Sequence, residues 1–288
     1  GDIVIPNSIT SIESDAFYGK SLITSLNIGN GVKVIGADAF NGCSGITQIT
    51  GGNSSLEIGN YAFSGCSKLV SCQFSCVKQI GNYAFRGCTK LETFSFNGAE
   101  KINSNAFYNC GLTQINIPNS VTYIGSSAFA RCRKLTSVVL PFVGTSASES
   151  STKYPFGVIF GETSYTNSIE TTQYYIPNGQ SYSSSATYYI PAGLKQITIN
   201  GGNVNYGGLC NLVDVEVTLN NVDSIEKNAF LKSSITKLTL PNTLRHNNGD
   251  DMATAFQKAS ITDVYFNGTI KDWLSISMAR MGCNPTHI

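Results

Sequence analysis

The chain has 288 residues, of which 41% are hydrophobic and only 13% charged, with nine cysteines and a formal net charge of +1. The apolar share is ample for a core, and the charged share is about half of what globular domains carry. A near-neutral chain with no basic stripe argues against nucleic acid or an anionic membrane surface as partner. No apolar run is long enough to insert into a bilayer.

From the N-terminus, Ile3-Val4-Ile5-Pro6 reads as a short strand and its exit, since proline cannot donate a sheet hydrogen bond. Asn7 and Ser8 make the corner. Ile12 and the pair Ala16-Phe17 follow, and this phrase then returns. Ala-Phe recurs with its phenylalanine at Phe40, Phe63, Phe85, Phe107 and Phe129, in steps of 22 or 23 residues, and again at Phe230 and Phe256. An isoleucine stands five residues earlier, as in Ile35, Ile58, Ile80, Ile102, Ile124 and Ile225. A cysteine stands three residues later at Cys43, Cys66, Cys88, Cys110 and Cys132, with Lys20, Ser233 and Ala259 in its place at outer coils. Then come apolar triplets such as Leu91, Phe94, Phe96 and Leu135, Val138, Leu140, separated by polar residues.

A period of this length means stacked coils, each unable to bury its apolar side alone. The triplets read as parallel strands with one face in and one face out. The Ile-Gly-x-x-Ala-Phe segment reads as a second short strand followed by a helical or 3₁₀ turn. The phenylalanines form an internal column. The five cysteines hold equivalent places and read as a ladder of buried thiols, with occasional bridges between neighbours as the alternative. Cys66, Cys72 and Cys76 read as ladder and strand positions rather than as a metal site.

The regular run stops after Leu140. Residues 144–153 form a polar loop, and Pro155-Phe156 is expected to stand in for Ala-Phe. Residues 161–190 are an insertion rich in tyrosine. Two Tyr-Tyr-Ile-Pro phrases, at 174–177 and 188–191, predict a β-hairpin standing off the coils. Coils resume at Leu194, Ile197 and Ile199, with an extra loop at 245–253, and end near Trp273. The sequence stops in mid-phrase at Ile288, so the natural chain is expected to continue. The organisation expected is one solenoid over 1–288: regular coils at 1–143, an irregular coil with the hairpin at 144–193, and further coils with a partial cap at 194–288.

The stretch Ile115 to Pro141, INIPNSVTYIGSSAFARCRKLTSVVLP, closely resembles the repeat of the BspA-like leucine-rich-repeat family, and the likeness recurs across most of the chain. The resemblance implies a curved, right-handed leucine-rich-repeat solenoid of about eleven turns with little helix. It also implies an extracellular or cell-surface location and a role in adhesion or protein binding.

No catalytic constellation stands out, and no cofactor is expected. His246, near Asp250 and Asp251, lies in a polar loop without a nucleophile elbow beside it. Asp214 and Glu216 alternate on one face of one strand, where paired acids can hydrolyse glycosides but exposed strand positions are the plainer reading. Asn53 and Asn267 fit the glycosylation sequon and are expected to be unmodified.

The leading expectation is therefore a non-enzymatic surface-displayed binding module. A spacer holding another domain off the envelope is second, and a carbohydrate-active enzyme last. Its partner is expected to be a protein, either of the host matrix or of another bacterial surface, or a surface glycan. Two surfaces compete. One is the column of outward strand positions Ser25, Gln48, Ser71, Thr93, Gln114, Ser137 and Gln196, small, polar and uncharged. The other is the insertion, whose tyrosine, serine and glycine resemble a paratope in composition. Tyr165, Tyr182 and Ser183 are expected to be exposed there. Alternatively Tyr174, Tyr175, Tyr188 and Tyr189 pair across the hairpin and cover the sheet edge.

Overall fold

The computed structural model describes residues 1–52, 55–146, 154–177, 181, 183–244 and 254–275, with 273–275 as backbone only. It is a parallel-strand solenoid of about eleven turns with almost no helix. Each regular coil contributes three stacked ladders. The first is the main sheet, where Asp2–Val4, Ser25–Ile28, Gln48–Gly51 and Ser71–Gln73 pair in parallel register. A second, six-stranded block runs from Gln114–Asn116 through Ser137–Leu140, Gln196–Ile199, Val215–Leu219 and Ser234–Pro241 to Ser260–Asn267.

The expected continuous sheet is broken between these blocks, because Glu92–Phe96 pairs as no strand. The cause lies in the side chains. The preceding coil has Cys72 and Phe74 at these two places and keeps its strand, whereas here both are rings, and Phe94 packs edge-on to Phe85 (5.1 Å) and Phe107 (4.9 Å). Phe96 packs edge-on to Phe107 at 5.4 Å. Two bulky rings in one coil leave the backbone out of ladder register.

The second ladder joins the short strands ending in Ile12, Ile35, Ile58, Ile80, Ile102 and Ile124. The third is the turn itself. It is neither α nor 3₁₀, as the sequence led one to expect. Two residues per turn take left-handed backbone, one before the alanine (Asp38, Tyr61, Tyr83, Asn105, Ser127) and one two after the phenylalanine (Gly42, Gly65, Gly87, Asn109, Arg131). Glycine is favoured at the latter place because φ near +75° costs it nothing. The alternation points successive N–H groups one way, so Asp38, Phe40 and Gly42 donate to Asn60, Ala62 and Ser64 of the next coil at 2.8–2.9 Å. The backbone of the turn is thus satisfied coil to coil, as buried backbone must be.

Between the ladders sits the core. Phe17, Phe40, Phe63, Phe85, Phe107 and Phe129 stack face to face with centroids 4.9–5.6 Å apart. Phe230 and Phe256 resume the column at 5.0 Å. In the irregular coil the place of Ala-Phe is shared. Towards Phe129 the acceptor is the Ile159 carbonyl, so Ile159-Phe160 substitutes there. Towards the next coil Phe156 donates to the Gly208 carbonyl, as expected of Pro155-Phe156. The 3₁₀ turn Phe156–Ile159 spans the two.

Ser168–Tyr175 and Ser184–Pro191 form the predicted antiparallel hairpin, but it does not stand off the coils. Tyr188, Ile190, Thr171 and Gln173 are buried against the solenoid. Its tyrosines do not pair with one another either: Tyr188 faces Thr171, Tyr189 faces Glu170, and Tyr174 and Tyr175 face Ser185 and Ser184. The helix Ile270–Ser275 is N-capped by Thr269, which shares hydrogen bonds with Asp272.

Candidate functional site

The outward positions of the main sheet form true rows. Asp2, Ser25, Gln48 and Ser71 are register partners in the first block. Gln114, Ser137, Gln196, Glu216, Lys237 and Asp263 are partners in the second. Thr93 is exposed but lies in the break between the blocks, on no strand. The row is less uniform than its sequence columns suggested. Its two ends carry charge, with Asp2 accepting from the Ser25 and Thr24 hydroxyls at 2.6 and 3.0 Å. These hydroxyls hold the Asp2 carboxyl below the usual carboxylate range. At the far end Lys237 lies over the Tyr265 ring, 4.8 Å from its centroid.

The insertion differs from expectation at its chief residue. Tyr165 is buried, not exposed. Its ring lies beside Cys132, Arg131 and Arg133, and burial pushes its hydroxyl well above the usual phenol value. The hairpin crosses back over the turn, so the tyrosine leading into it covers the end of the thiol column. Ser183 is exposed, just ahead of the second hairpin strand. Tyr182 lies outside the described residues, as do His246, Asp250, Asp251 and Asn53.

Asp214 and Glu216 do not act as a pair on one strand face. Asp214 precedes the strand in left-handed backbone and accepts from Ser234 Oγ at 3.0 Å. Only Glu216 belongs to the outward row. Among the described residues no group of three or more His, Cys, Asp or Glu gathers to hold a metal. A depression of about 250 Å³ lies between the corner Asn119–Thr122 and Asn200-Gly201, lined also by Pro141 and Phe142.

Each ladder thiol has a job that the spacing did not reveal. Cys43, Cys66, Cys88, Cys110 and Cys132 donate to the carbonyls of Phe17, Phe40, Phe63, Phe85 and Phe107, one coil back, at 3.0–3.4 Å. The described cysteines are free thiols. Burial pushes Cys43, Cys66 and Cys110 upward and Cys132 up to about 12.

Sequence reasoning also missed a ladder on the turn flank. Tyr61 and Tyr83 stack at 4.9 Å, Arg86 lies 5.8 Å from the Tyr83 ring and 5.9 Å from the Tyr108 ring, and Arg131 lies 5.5 Å from Tyr108. The available signal was Tyr61 and Tyr83 at the left-handed place before alanine, where other coils carry Asp, Asn or Ser.

Parallel strands repeating coil on coil over an aromatic column, with short second strands and almost no helix, define a leucine-rich-repeat solenoid. The model of the BspA type leucine rich repeat region matches residues 1–98, 73–156, 100–208 and 202–275, in six copies, and the chain belongs to that family. Solved structures similar to it include a leucine-rich cell surface protein from Faecalibacterium prausnitzii A2-165, 20% identical over 98% of this chain and 82% of that one, TM-score 0.46. The T. pallidum leucine-rich-repeat protein is 29% identical over 49% of this chain and 58% of that one, TM-score 0.36. The pneumococcal vaccine antigen PcpA is 19% identical over 99% of this chain and 82% of that one, TM-score 0.42. No curated protein matches the chain. No helix among the described residues is long and apolar enough to cross a membrane.

Proposed function

We propose that this chain is a non-enzymatic binding module displayed at a cell surface, acting as one continuous solenoid and engaging a protein partner through the outward face of its main sheet. The observation that carries the reading is the row Gln114, Ser137, Gln196, Glu216, Lys237 and Asp263, register partners from one parallel strand to the next, with a one-residue irregularity at Val215/Glu216. The strand ladder fixes the backbone beneath the row, so a partner bound there orders side chains but no loop. Membership of a family with a cell-surface relative supports the location.

The test is saturable binding of the immobilised chain to a panel of purified matrix proteins and bacterial surface proteins. One partner should bind, and the combined change Gln114→Ala, Gln196→Ala and Glu216→Gln should weaken it at least about tenfold, as loss of a central contact cluster does. No saturable binding to any panel member would favour the spacer. Binding unchanged by those substitutions but lost on changing Ser183 and Ser185 would move the site to the hairpin.

A further inference from the structure

The chain's charges nearly cancel, yet the fold sorts them. The turn segments 59–69, 81–92, 103–113 and 125–135 lie over one another, joined by the coil-to-coil ladder. They carry Lys68, Arg86, Lys90, Arg131, Arg133 and Lys134 against a single carboxylate, Glu92, which is taken by Lys134 at 2.9 Å. The rest of the chain is therefore left with more carboxylates than cations. The sequence showed no basic stripe because Lys68, the pair Arg86 and Lys90, and the group 131–134 are separated by 18 and 41 residues of chain; the coil brings them to one flank. Lys68, Arg86, Lys90 and Arg133 are exposed, and no carboxylate pairs with them among the described residues. The segment 161–165, carrying Glu162, borders this flank where Arg131 donates to the Ser164 carbonyl.

We propose that this flank binds an extended polyanionic polysaccharide, laid along the solenoid axis across the coils of Phe63, Phe85, Phe107 and Phe129. This goes beyond the sheet-face reading: the surface is another and so is the ligand class. Three features select the ligand. The cations stand on three of the four coils, the coil of Phe107 placing Tyr108 between the arginines instead, and the coil step seen in the ring column, 4.9–5.6 Å, is close to the advance of one pyranose in an extended chain. The guanidiniums of Arg86 and Arg131 are held on either side of Tyr108, so their donors are ordered before a ligand arrives. The exposed fork of Arg86 matches sulfate or carboxylate oxygens in pairs, while Arg131, its Nε buried and its guanidinium donating to the Ser164 carbonyl, braces Tyr108 and adds charge. The same stacking argues against single-stranded nucleic acid, whose bases need open aromatic faces. Here Tyr83 is covered by Tyr61 on one side and Arg86 on the other, and Tyr108 by two arginines.

The experiment measures binding of the whole chain to heparin, polygalacturonate, neutral dextran and a single-stranded oligonucleotide of matched charge, over a salt series. The triple variant Lys68→Gln, Lys90→Gln, Arg133→Gln is compared with Lys33→Gln, Lys101→Gln, Lys271→Gln, which removes equal charge elsewhere. All six side chains are exposed, so both variants keep the native circular dichroism spectrum. The expected result is binding of heparin or polygalacturonate and none of dextran, weakened about tenfold or more by the flank variant. Its salt slope falls by roughly two to three, one per lost contact, while the control variant shifts affinity less than about threefold. The stronger of the two polysaccharides identifies the anionic group as sulfate or carboxylate. No polysaccharide binding, equal weakening by both variants, or tighter binding of the oligonucleotide overturns the proposal. The sheet-row variant described above retains heparin binding, so the two readings fail separately.

Discussion

Ser233 Oγ donates to the Leu209 carbonyl at 2.8 Å, one coil back. That is the place and direction in which the ladder cysteines donate to the phenylalanine carbonyls. Leu209 stands where the phenylalanines stand, since its N–H donates to the Ala229 carbonyl as Phe107 donates to that of Ala128. In the inner coils the position thus carries a donor that reaches a carbonyl of the preceding coil, sulfur being one way to supply it, while Ala259 in the coil of Phe256 does without.

A substitution pair follows at Cys88, which is fully buried and donates to the Phe63 carbonyl at 3.3 Å. Cys88→Ser keeps a donor and nearly the same volume, and should change thermal stability little. Cys88→Ala removes the donor and opens a small void, and should destabilise by about 1–2 kcal/mol. Denaturant melts of the two variants decide it. A serine variant less stable than the alanine variant would remove the hydrogen bond from the explanation.

The raised thiols set a pH dependence. A group whose folded pKa lies above its unfolded value stabilises the fold fully below the unfolded value and loses that stability as pH rises through the folded one. The unfolded thiol value is about 8.5, while burial pushes Cys210 up to about 11 and Cys132 up to about 12. Stability should be flat up to about pH 8 and fall across the alkaline window to about pH 12. Native alkylation should be slow at Cys132 and fast only in denaturant. Rapid labelling of Cys132 in the folded chain at neutral pH would place the ladder outside the core.

The phenylalanine column predicts a gradient from end to middle. Phe85 is fully buried and touches Phe63, Phe107 and Phe94 with centroids at 5.1–5.3 Å. Phe17, in the first coil, is only partly buried and stacks on Phe40 alone. Phe85→Ala should destabilise by about 3–5 kcal/mol and Phe17→Ala by clearly less. Equal losses in urea unfolding would mean that the end coil is packed as tightly as the middle.

What could be read in advance follows from what repeats. Ile, Ala-Phe and Cys recur at a fixed step, so strand, column and thiol ladder were visible as periodicity before any coordinates. The break at Glu92–Phe96 was not, since phenylalanine satisfies the same apolar pattern as leucine and only its size spoils the register. Tyr165 was misjudged because composition says nothing of direction, and the turn of chain that aims it at Cys132 occurs once. The cationic flank was invisible for a different reason: whole-chain charge averages away what a coil collects.

The hairpin gives the last prediction, centred on Gln173. Its side chain is fully buried, accepts from the Gly157 N–H at 2.6 Å and donates to the Cys210 carbonyl at 3.0 Å. It thus satisfies two backbone groups of two different coils where the regular ladder is interrupted. Tyr188 closes the same joint, lying so near Gly157 that an added Cβ there would meet its ring at 2.5–2.6 Å. The insertion is therefore part of the solenoid's continuity. Gln173→Leu keeps the volume but strands both backbone partners, and should destabilise by about 2–4 kcal/mol, the sum of two unmet buried groups. Deleting residues 163–188 with a short linker should destabilise further, exposing the Cys132 and Cys210 thiols to alkylation. Urea melts combined with thiol labelling test both, and a deletion variant as stable as the parent chain would show that the coils on either side of the insertion hold together without it.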